Sequence, residues 1–396
     1  MEDLGQALAG GGDVIMMGGG NPAHIPEVEA IWRRRIGEIL AEPGAMEAML
    51  GDYDTPRGRP EFLETMAQFF NRAFGWNIDA GNVAVTMGSQ TANFLLFNLL
   101  AGPDGPGSKK ILFPIVPEYI GYASQGIAEN MFTAWKPRIE FLENHQFKYR
   151  IDFGEIREDV AAICLSRPTN PTANVITDGE MQRLAALAEE RGIYLIVDNA
   201  YGQPFPNVIF KPALPVLGRN IIHTFSLSKL GLPATRTGMV VADKGTIERL
   251  SIMNASLVLS TSSIGQAIVG SLFAGDEMAD TCRRVIEPFY RERSRQTQEW
   301  IGDYFDDKLD YHVHVCEGAF FLWLWFRDMP VSDRTLYERL KAKKVLVVPG
   351  CYFFEGLHEP WRHTQECIRV TYCAKPASVR RGIEIIADEV RNAYAG

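Results

Sequence analysis

The fold is decided by residues 162–198, which read AICLSRPTNPTANVITDGEMQRLAALAEERGIYLIVD. The apolar run Ala162–Ser166 predicts a buried strand, and Tyr194–Val197 predicts a second one. Between them, Thr177–Glu180 has the spacing of a capping box that begins a helix, and Gly192 is placed to end that helix. A strand, a helix and a strand in this order predict a βαβ unit with parallel strands.

The same alternation extends on both sides of this unit. From about residue 80 to 245, short apolar runs alternate with amphipathic stretches, which predicts a mostly parallel sheet in an α/β domain. After Ala279 the pattern changes to a long charged helical stretch, followed by the strand-like runs Tyr311–Val315 and Phe320–Phe326 and a closing helix from Ser378. This second region is predicted to form a smaller α+β unit.

Composition is that of an ordinary folded protein and excludes several classes of function. The 396 residues are 46% hydrophobic and 22% charged, with a net charge of −9, and this acidic balance disfavours nucleic acid as a partner. We expect no membrane contact, since no apolar stretch approaches the ~18 residues of a membrane span and no export signal opens the chain. The six cysteines form no CxxC pair, which is typical of reduced thiols in a cytoplasmic protein.

Polar residues cluster at the carboxyl ends of the predicted strands, where open α/β sheets bind ligands. One cluster is Ser89-Gln90, where the strand Val83–Thr86 gives way to a helix with the apolar body Phe94–Leu100. Free N–H groups at the start of a buried helix can bind a phosphate. Alternatively, Ser89 is only the N-cap of that helix. The other clusters are Asn170–Thr172, Asp198–Tyr201 and Ser226–Lys229, with Arg236 following.

Lys229 follows a predicted strand and precedes Gly231-Leu232-Pro233, so its ammonium is predicted to point into a cleft. A lone lysine in such a position is usually solvated. Here, however, Asp198 follows the neighbouring strand, and Ser226 and Arg236 add a hydroxyl and a guanidinium. These are the groups that pyridoxal 5′-phosphate requires: a lysine for covalent attachment, a carboxylate for the ring nitrogen, and donors for the phosphate.

Six segments, in order along the chain, resemble the class I and II aminotransferases of the aspartate aminotransferase fold, and more closely the valine–pyruvate aminotransferases of bacteria. They are Gly18–Pro22, Tyr53-Asp54, Pro117–Tyr122, Ser166–Thr172, Asp198–Gly202 and Ser226–Pro233. The resemblance implies a pyridoxal phosphate-dependent transferase of fold type I. It also implies a large cofactor-binding domain over residues 46–290 and a small domain formed by residues 1–45 and 291–396.

The resemblance further implies a role for each residue of the site. Lys229 would hold the cofactor covalently and move the proton, while Asp198 would pair with the ring nitrogen. Asn170 and Tyr201 would donate to the phenolic oxygen, and Tyr119 would stack on the pyridine face. The phosphate would be bound by Ser89, Gln90, Ser226, Arg236 and, from the neighbouring subunit of a homodimer, Tyr53. The substrate would be bound by Arg369, which grips the α-carboxylate, and by Asn170, Gly20 and Asn21.

Two positions depart from the family pattern. The usual Asn-Pro-Thr-Gly ends here in Ala173, so either this position needs no positive φ or the chain tolerates mild strain there. Arg236 follows Lys229 by seven positions, one fewer than is common, and a tighter turn at Gly231-Leu232-Pro233 is expected to absorb the difference.

No metal site is expected. His312 and His314 alternate along one strand, but no third ligand has suitable spacing. We therefore expect these two histidines to lie on a solvent-facing strand edge.

The favoured activity is amino transfer from L-valine to pyruvate, giving 3-methyl-2-oxobutanoate and L-alanine. Enzymes of this fold that use dicarboxylic substrates commonly carry a second arginine after the Lys229 region, whereas Leu250–Gln266 contains no Lys or Arg. A second buried carboxylate would lack a partner, so small neutral side chains are expected. The alternatives are an aminotransferase of other neutral or aromatic amino acids, a pyridoxal phosphate-dependent β-lyase or, from another class, a non-catalytic regulator that binds the cofactor.

Overall fold

The computed structural model describes residues 14–105, 107–305 and 309–395. The strands are β1 (Ile15–Met16), β2 (Val83–Thr86), β3 (Gly102–Asp104), β4 (Gly107–Phe113), β5 (Phe132–Ala134), β6 (Arg138–Phe141), β7 (Gln146–Arg150), β8 (Val160–Ser166), β9 (Tyr194–Asp198), β10 (Ile221–Ser226), β11 (Gly238–Val241), β12 (Tyr311–His314), β13 (Phe321–Phe326), β14 (Val345–Leu346), β15 (Val348–Pro349) and β16 (Cys367–Thr371).

The helices are α1 (Pro26–Ala41), α2 (Ala45–Gly51), α3 (Pro60–Phe74), α4 (Ser89–Leu100), α5 (Asp178–Arg191), α6 (Lys244–Val258), α7 (Ser263–Ala274), α8 (Glu277–Thr281), α9 (Glu287–Tyr304), α10 (Asp333–Ala342) and α11 (Pro376–Ala395). A π-helical turn, Cys282–Ile286, joins α8 to α9. Short 3₁₀ turns follow β10 at Ser228–Leu230 and Pro233–Thr235.

The larger sheet has the strand order β2-β11-β10-β9-β8-β4-β3, with β5 also paired to β4. Its central pairs are parallel, and in that register Ser166 lies opposite Asp198, and Asp198 opposite Thr224. Successive residues of β2 face two different hydrophobic cores, since Val85 belongs to one core and Ala84 belongs to the other. Both faces are therefore covered, and ligands can reach the central strands only at their ends.

The βαβ unit predicted from residues 162–198 is confirmed. The amide of Glu180 donates to Thr177 Oγ1 at 3.2 Å, and the amide of Thr177 donates to Glu180 Oε2 at 2.9 Å, which completes the capping box. At the other end of α5, Gly192 adopts a left-handed conformation with φ of 64°, which favours glycine. Helix α5 therefore begins and ends at the residues that its sequence predicts.

The smaller sheet has the order β15-β16-β13-β12-β7-β6. Its β6–β7 hairpin comes from residues 138–150, inside the range 46–290, and β7 pairs in parallel with β12. The predicted strands near Tyr311 and Phe320 are confirmed as β12 and β13. The division of the chain into two domains stays a prediction.

The expectation that His312 and His314 lie on a solvent-facing edge is wrong. Strand β12 lies inside the sheet, between β7 and β13, and His314 is fully buried. The amide of Tyr149 donates to His314 Nε2 at 3.1 Å. Within the described ranges, no group of three or more His, Cys, Asp or Glu side chains could hold a metal ion.

The amino-terminal segment joins the two halves of the fold. Strand β1 pairs in parallel with β14, and the amide of Thr371 donates to the carbonyl of Met17 at 2.8 Å. These bonds fix the segment so that the next residues in the chain, Gly18–Asn21, lie towards the end of the larger sheet. Over the part of the chain that the structure describes, no helix is long and apolar enough to cross a membrane.

The capping box makes a testable contribution to stability. Thr177→Ala removes the acceptor of the Glu180 amide, and we expect a loss of about 1 kcal/mol in the free energy of unfolding. The measurement is urea unfolding followed by circular dichroism. Thr65→Ala is the control, since Thr65 bonds only to the carbonyl of Glu61 within α3 and should change stability by less than about 0.5 kcal/mol. Equal losses in the two variants would contradict the capping role.

Candidate active site

Four polar segments meet at the carboxyl ends of β2, β8, β9 and β10. They are Gly88–Gln90, Asn170, Asp198–Tyr201 and Ser226–Lys229, as the sequence predicted from the strand ends. The parallel register of β8, β9 and β10 brings the last three together, and β11 brings β2 beside them.

The start of α4 forms a cradle for an anion. Its N-cap is Gly88, which has no side chain to cap the free amides, and Ser89 is the first helical residue; the alternative that Ser89 is the N-cap is therefore wrong. The guanidinium of Arg236 lies against this turn and donates to the carbonyl of Met87 at 3.2 Å. A Cβ at Gly88 would lie only 2.5 Å from Arg236 Nη2. The glycine thus allows a cation and a helix N-terminus to share one small space.

The turn between Lys229 and Arg236 is tight, as expected from the shortened spacing. The amide of Gly231 donates to the carbonyl of Ser228, and that of Arg236 to Pro233, each at 3.4 Å. Gly231 has φ of 97° and Arg236 φ of 48°, so two residues adopt left-handed conformations within six positions. The turn returns the Arg236 side chain to Ser228, whose Oγ lies 3.4 Å from Nη1.

Lys229 is held at the edge of the amino-terminal segment. Its Nζ donates to the carbonyl of Gly20 at 2.7 Å and lies 5.6 Å from the ring of Tyr201 and 5.4 Å from that of Phe320. Burial, reinforced by the positive charges of Arg369 and Arg236, lowers the pKa of Lys229 to about 8. An appreciable fraction of this amine is therefore neutral and nucleophilic near physiological pH.

Asp198 is a buried carboxylate with a full set of donors. Its Oδ2 accepts from Asn93 Nδ2 at 2.9 Å and from the hydroxyl of Tyr122 at 3.0 Å, and its Oδ1 accepts from the amide of Ala200 at 3.0 Å. Burial nevertheless raises the pKa of Asp198 above its ordinary value. A cation beside this carboxylate would offset the cost of its burial.

Sequence reasoning missed Asn93 and gave Tyr122 no role. Asn93 lies four positions after Ser89 on α4, one helical turn further along the same face. That spacing is the signal by which it could have been found. Tyr122 lies in the segment Pro117–Tyr122, but no local sequence signal shows that its hydroxyl reaches Asp198.

Tyr119 and Tyr201 are the tyrosines predicted to line the site. The hydroxyl of Tyr119 donates to Gln90 Oε1 at 3.1 Å, so Gln90 is aimed into the site. The Tyr201 ring packs edge-on against Phe320 with a centroid distance of 4.9 Å. Ser226 is buried, and its Oγ accepts from the amide of Ser228 at 3.1 Å, which leaves the hydroxyl proton of Ser226 to donate elsewhere.

Arg369 is a buried cation that lacks an acidic partner among the described residues. Its Nη1 donates to Asn170 Oδ1 at 2.8 Å and its Nη2 to the carbonyl of Gly18 at 2.7 Å. Its Nε has no partner within the described part of the chain, and the guanidinium lies 4.1 Å from the ring of Phe321. Burial lowers the pKa of Arg369 to about 10. A ligand carboxylate could satisfy the free donor and compensate the charge.

The loop that carries Asn170 tolerates strain at Ala173. This residue has φ of 60° and is fully buried, so the position keeps the left-handed conformation without glycine. Its amide donates to the carbonyl of Thr169 at 2.8 Å, and its carbonyl accepts from the amide of Glu317 at 3.0 Å. These bonds hold the strained turn in place.

Two of the predicted site residues, Asn21 and Tyr53, do not follow a strand end. Asn21 borders a cavity of about 280 Å³ that also opens onto Lys229, Trp32 and Tyr290. Tyr53 is 83% exposed, so a single chain does not bring it into the site. Its neighbour Asp54 is bonded to Ser263 and to Arg59 instead.

Comparison with known proteins gives matches over the whole chain. A sequence profile of the family described as aminotransferase class I and II matches residues 39–386. The valine–pyruvate aminotransferase of Escherichia coli strain K12 is 44% identical, with 100% of this chain and 95% of that protein covered.

Two solved structures are similar throughout. One is a putative amino-acid aminotransferase of Psychrobacter arcticum 273-4, with a TM-score of 0.97, 40% identity, and 100% and 95% of the two chains covered. The other is the valine-pyruvate aminotransferase of Salmonella typhimurium LT2, with a TM-score of 0.92, 42% identity, and 100% and 99% covered.

The lowered pKa of Lys229 can be measured by competitive acetylation. In protein stripped of any bound aldehyde, Lys229 should become reactive as the pH rises through about 8, because its ammonium is unreactive below that pH and its neutral amine prevails above it. Mass spectrometry of the labelled peptide against a free amine standard gives the midpoint. Arg369→Leu removes a nearby positive charge and should move the midpoint upward. A wild-type midpoint near ~10.4, as in a solvated lysine, would contradict the burial argument.

Proposed function

The chain belongs to the class I and II aminotransferase family, whose members work with pyridoxal 5′-phosphate, and from this we propose that it transfers the amino group of L-valine to pyruvate. Its substrates are amino acids and 2-oxo acids, and its reaction is transamination. The β-lyase and the non-catalytic regulator considered from the sequence are therefore set aside. The observation that carries the proposed substrate pair is the 44% identity, over the full chain, to an enzyme named for these two substrates.

The residues present fit the cofactor. The uncapped start of α4 and the Arg236 guanidinium suit its phosphate, and buried Asp198 suits a protonated ring nitrogen. The neutral fraction of Lys229 suits covalent attachment to its aldehyde. When bound, pyridoxal phosphate supplies an electron sink for the pair released at the substrate Cα.

We assign the remaining roles to residues that line this space. Lys229, whose pKa of about 8 leaves it able to accept a proton, would move the proton from the substrate Cα. Tyr201 and Asn170 would donate to the phenolic oxygen, and Tyr119 would cover one ring face. The phosphate ligands would be Ser89, Gln90, Ser226 and Arg236, joined by Tyr53 of a second subunit.

The substrate carboxylate is proposed to bind against the joined side chains of Arg369 and Asn170. The two side chains are already joined at 2.8 Å, so the carboxylate meets a preformed pair of donors, with Gly20 and Asn21 beside them. The absence of Lys and Arg from Leu250–Gln266 argues against a second carboxylate on the substrate. Small neutral side chains are the class that remains.

We further propose that the active unit is a homodimer. Large apolar side chains are exposed on α1, α2 and the α6–α7 junction: Ile36, Leu40, Leu50, Leu257, Leu259 and Ile264. The bonds of Asp54 to Ser263 and of the Arg59 amide to Gln266 Oε1 join these regions into one surface around Tyr53. An apolar surface of this extent is typical of an interface, and a second copy covering it would bring Tyr53 to the partner's site.

We also propose a domain organisation and a cellular location for the protein. The two sheets support a large and a small domain, with the β6–β7 hairpin packed into the smaller sheet. The six free cysteines support a cytoplasmic location.

The substrate preference can be tested by mixing the purified enzyme with single amino acids. The absorption band of the bound cofactor should change fastest with L-valine, detectably with L-alanine and 2-aminobutyrate, and little with aspartate or glutamate. Breadth among the small substrates is expected because one methylene contributes only ~10–200-fold in selectivity. Lys229→Ala should show neither the band nor turnover. A faster change with glutamate than with valine would overturn the proposed substrate.

The shared site can be tested by mixing two impaired variants. Tyr53→Phe lacks the proposed phosphate contact and Lys229→Ala lacks the amine, but a hybrid dimer contains one site with both groups intact. Random pairing should restore about a quarter of the wild-type activity. Sedimentation equilibrium gives the assembly state in parallel. A fully active monomer would rule out the shared site.

A further inference from the structure

Glu118 is a buried acid beside the site that has no part in the chemistry described above. It is 3% exposed and lies directly before Tyr119. Its Oε1 accepts from the amide of Ser166 at 2.7 Å. Its Oε2 lies 2.7 Å from Ser166 Oγ and accepts from the amide of Tyr119 at 3.0 Å. One carboxyl therefore joins the last residue of β8 to the residue that covers the cofactor ring.

Among the described residues, no Lys, Arg or His forms an ion pair with Glu118. The ionisable groups around it are Asp198, Tyr122 and Cys164. Burial raises the pKa of Glu118 to about 8, and the hydroxyl of Ser166 donates to its Oε2. A buried acid is costly, and in this place it does what no apolar side chain could do: it fixes two backbone amides and a hydroxyl.

We propose that Glu118 is a positioning residue that sets the ring of Tyr119 against the cofactor. The bond to the Tyr119 amide fixes the backbone from which that ring projects, and the bonds to Ser166 anchor it to the strand next to Asp198. The carbonyl of Phe353 accepts from the amide of Glu118 at 2.8 Å, so a turn before β16 holds the same residue from the other side. The proposal rests on the assigned role of Tyr119 as the cover of the pyridine ring.

The variant Glu118→Gln removes the hydrogen bond from the Tyr119 amide and keeps the hydrogen bonds with Ser166. The amide oxygen can still accept from the Ser166 amide, and the amide nitrogen can donate to Ser166 Oγ once that hydroxyl has rotated. The same nitrogen cannot accept from the Tyr119 N–H, so that one bond is lost. Glu366→Gln is the control for a change at a buried carboxyl: Glu366 accepts from Trp325 Nε1 at 2.9 Å and the Asp328 amide at 3.1 Å and pairs with Arg362 at 2.8 Å, and it contacts none of the proposed cofactor ligands.

Two measurements on the holoenzyme test the role. The first is the dissociation constant of pyridoxal phosphate, which should rise about tenfold in Glu118→Gln, as expected for one lost buried hydrogen bond. The second is the induced circular dichroism per bound cofactor, which reports the orientation of the ring in its chiral surroundings and should change in amplitude. Glu366→Gln should leave both at the wild-type value even where it lowers stability.

The outcomes are separable from those of the proposed function. Unchanged affinity and dichroism in Glu118→Gln would overturn the positioning role, whatever the loss in stability. If that variant does not fold, Ser166→Ala decides, since it removes only the hydroxyl partner and should change the dichroism in the same direction by less; no change would overturn the proposal. Failure of wild-type enzyme to use valine would refute the substrate assignment alone, because neither readout involves an amino acid.

Discussion

The burial of Arg369 without an acidic partner among the described residues is the constraint around which the site is built. Its described partners are Asn170, the carbonyl of Gly18 and the rings of Phe321 and Phe353. A buried cation in such a position is costly, and its charge adds to the burial that lowers the pKa of Lys229. The arrangement suits an anion, and in the proposed function that anion is the α-carboxylate that amino-acid and 2-oxo-acid substrates share.

Local sequence signals located several elements of the larger sheet and the strands near Tyr311 and Phe320, and they failed where pairing is long-range. Strand β2 has the predicted limits, and helix α5 begins at its capping box and ends before Gly192, because caps and apolar runs act within a few residues. The β6–β7 hairpin could not be assigned to the smaller sheet, since its partner β12 lies more than 150 residues further along the chain. The error at His314 has the same origin: alternation marks a strand but does not say whether another strand lies on each side.

The candidate site was more predictable than the fold around it, because its residues occur in motifs that follow strand ends. Lys229, Asp198 and Arg369 were assigned by resemblance, and the sheet register explains why distant segments converge. The supporting residues were not assigned: Asn93, Tyr122 and Glu118 act through side-chain contacts across 105, 76 and 48 positions. Tyr53 is a different case, since a single chain leaves it exposed and its place in a site stays a proposal.

The pairing of β1 with β14 has a consequence for the order in which the protein matures. Residues 15 and 16 find their partners at 345 and 346, and Gly18 is held by Arg369. A chain emerging from the ribosome makes its amino terminus first, yet the segment that holds Lys229 cannot dock until almost the whole polypeptide has been synthesised. The segment beside Lys229 is thus the last part of the candidate site to gain its partners, after the strands of the larger sheet have been made.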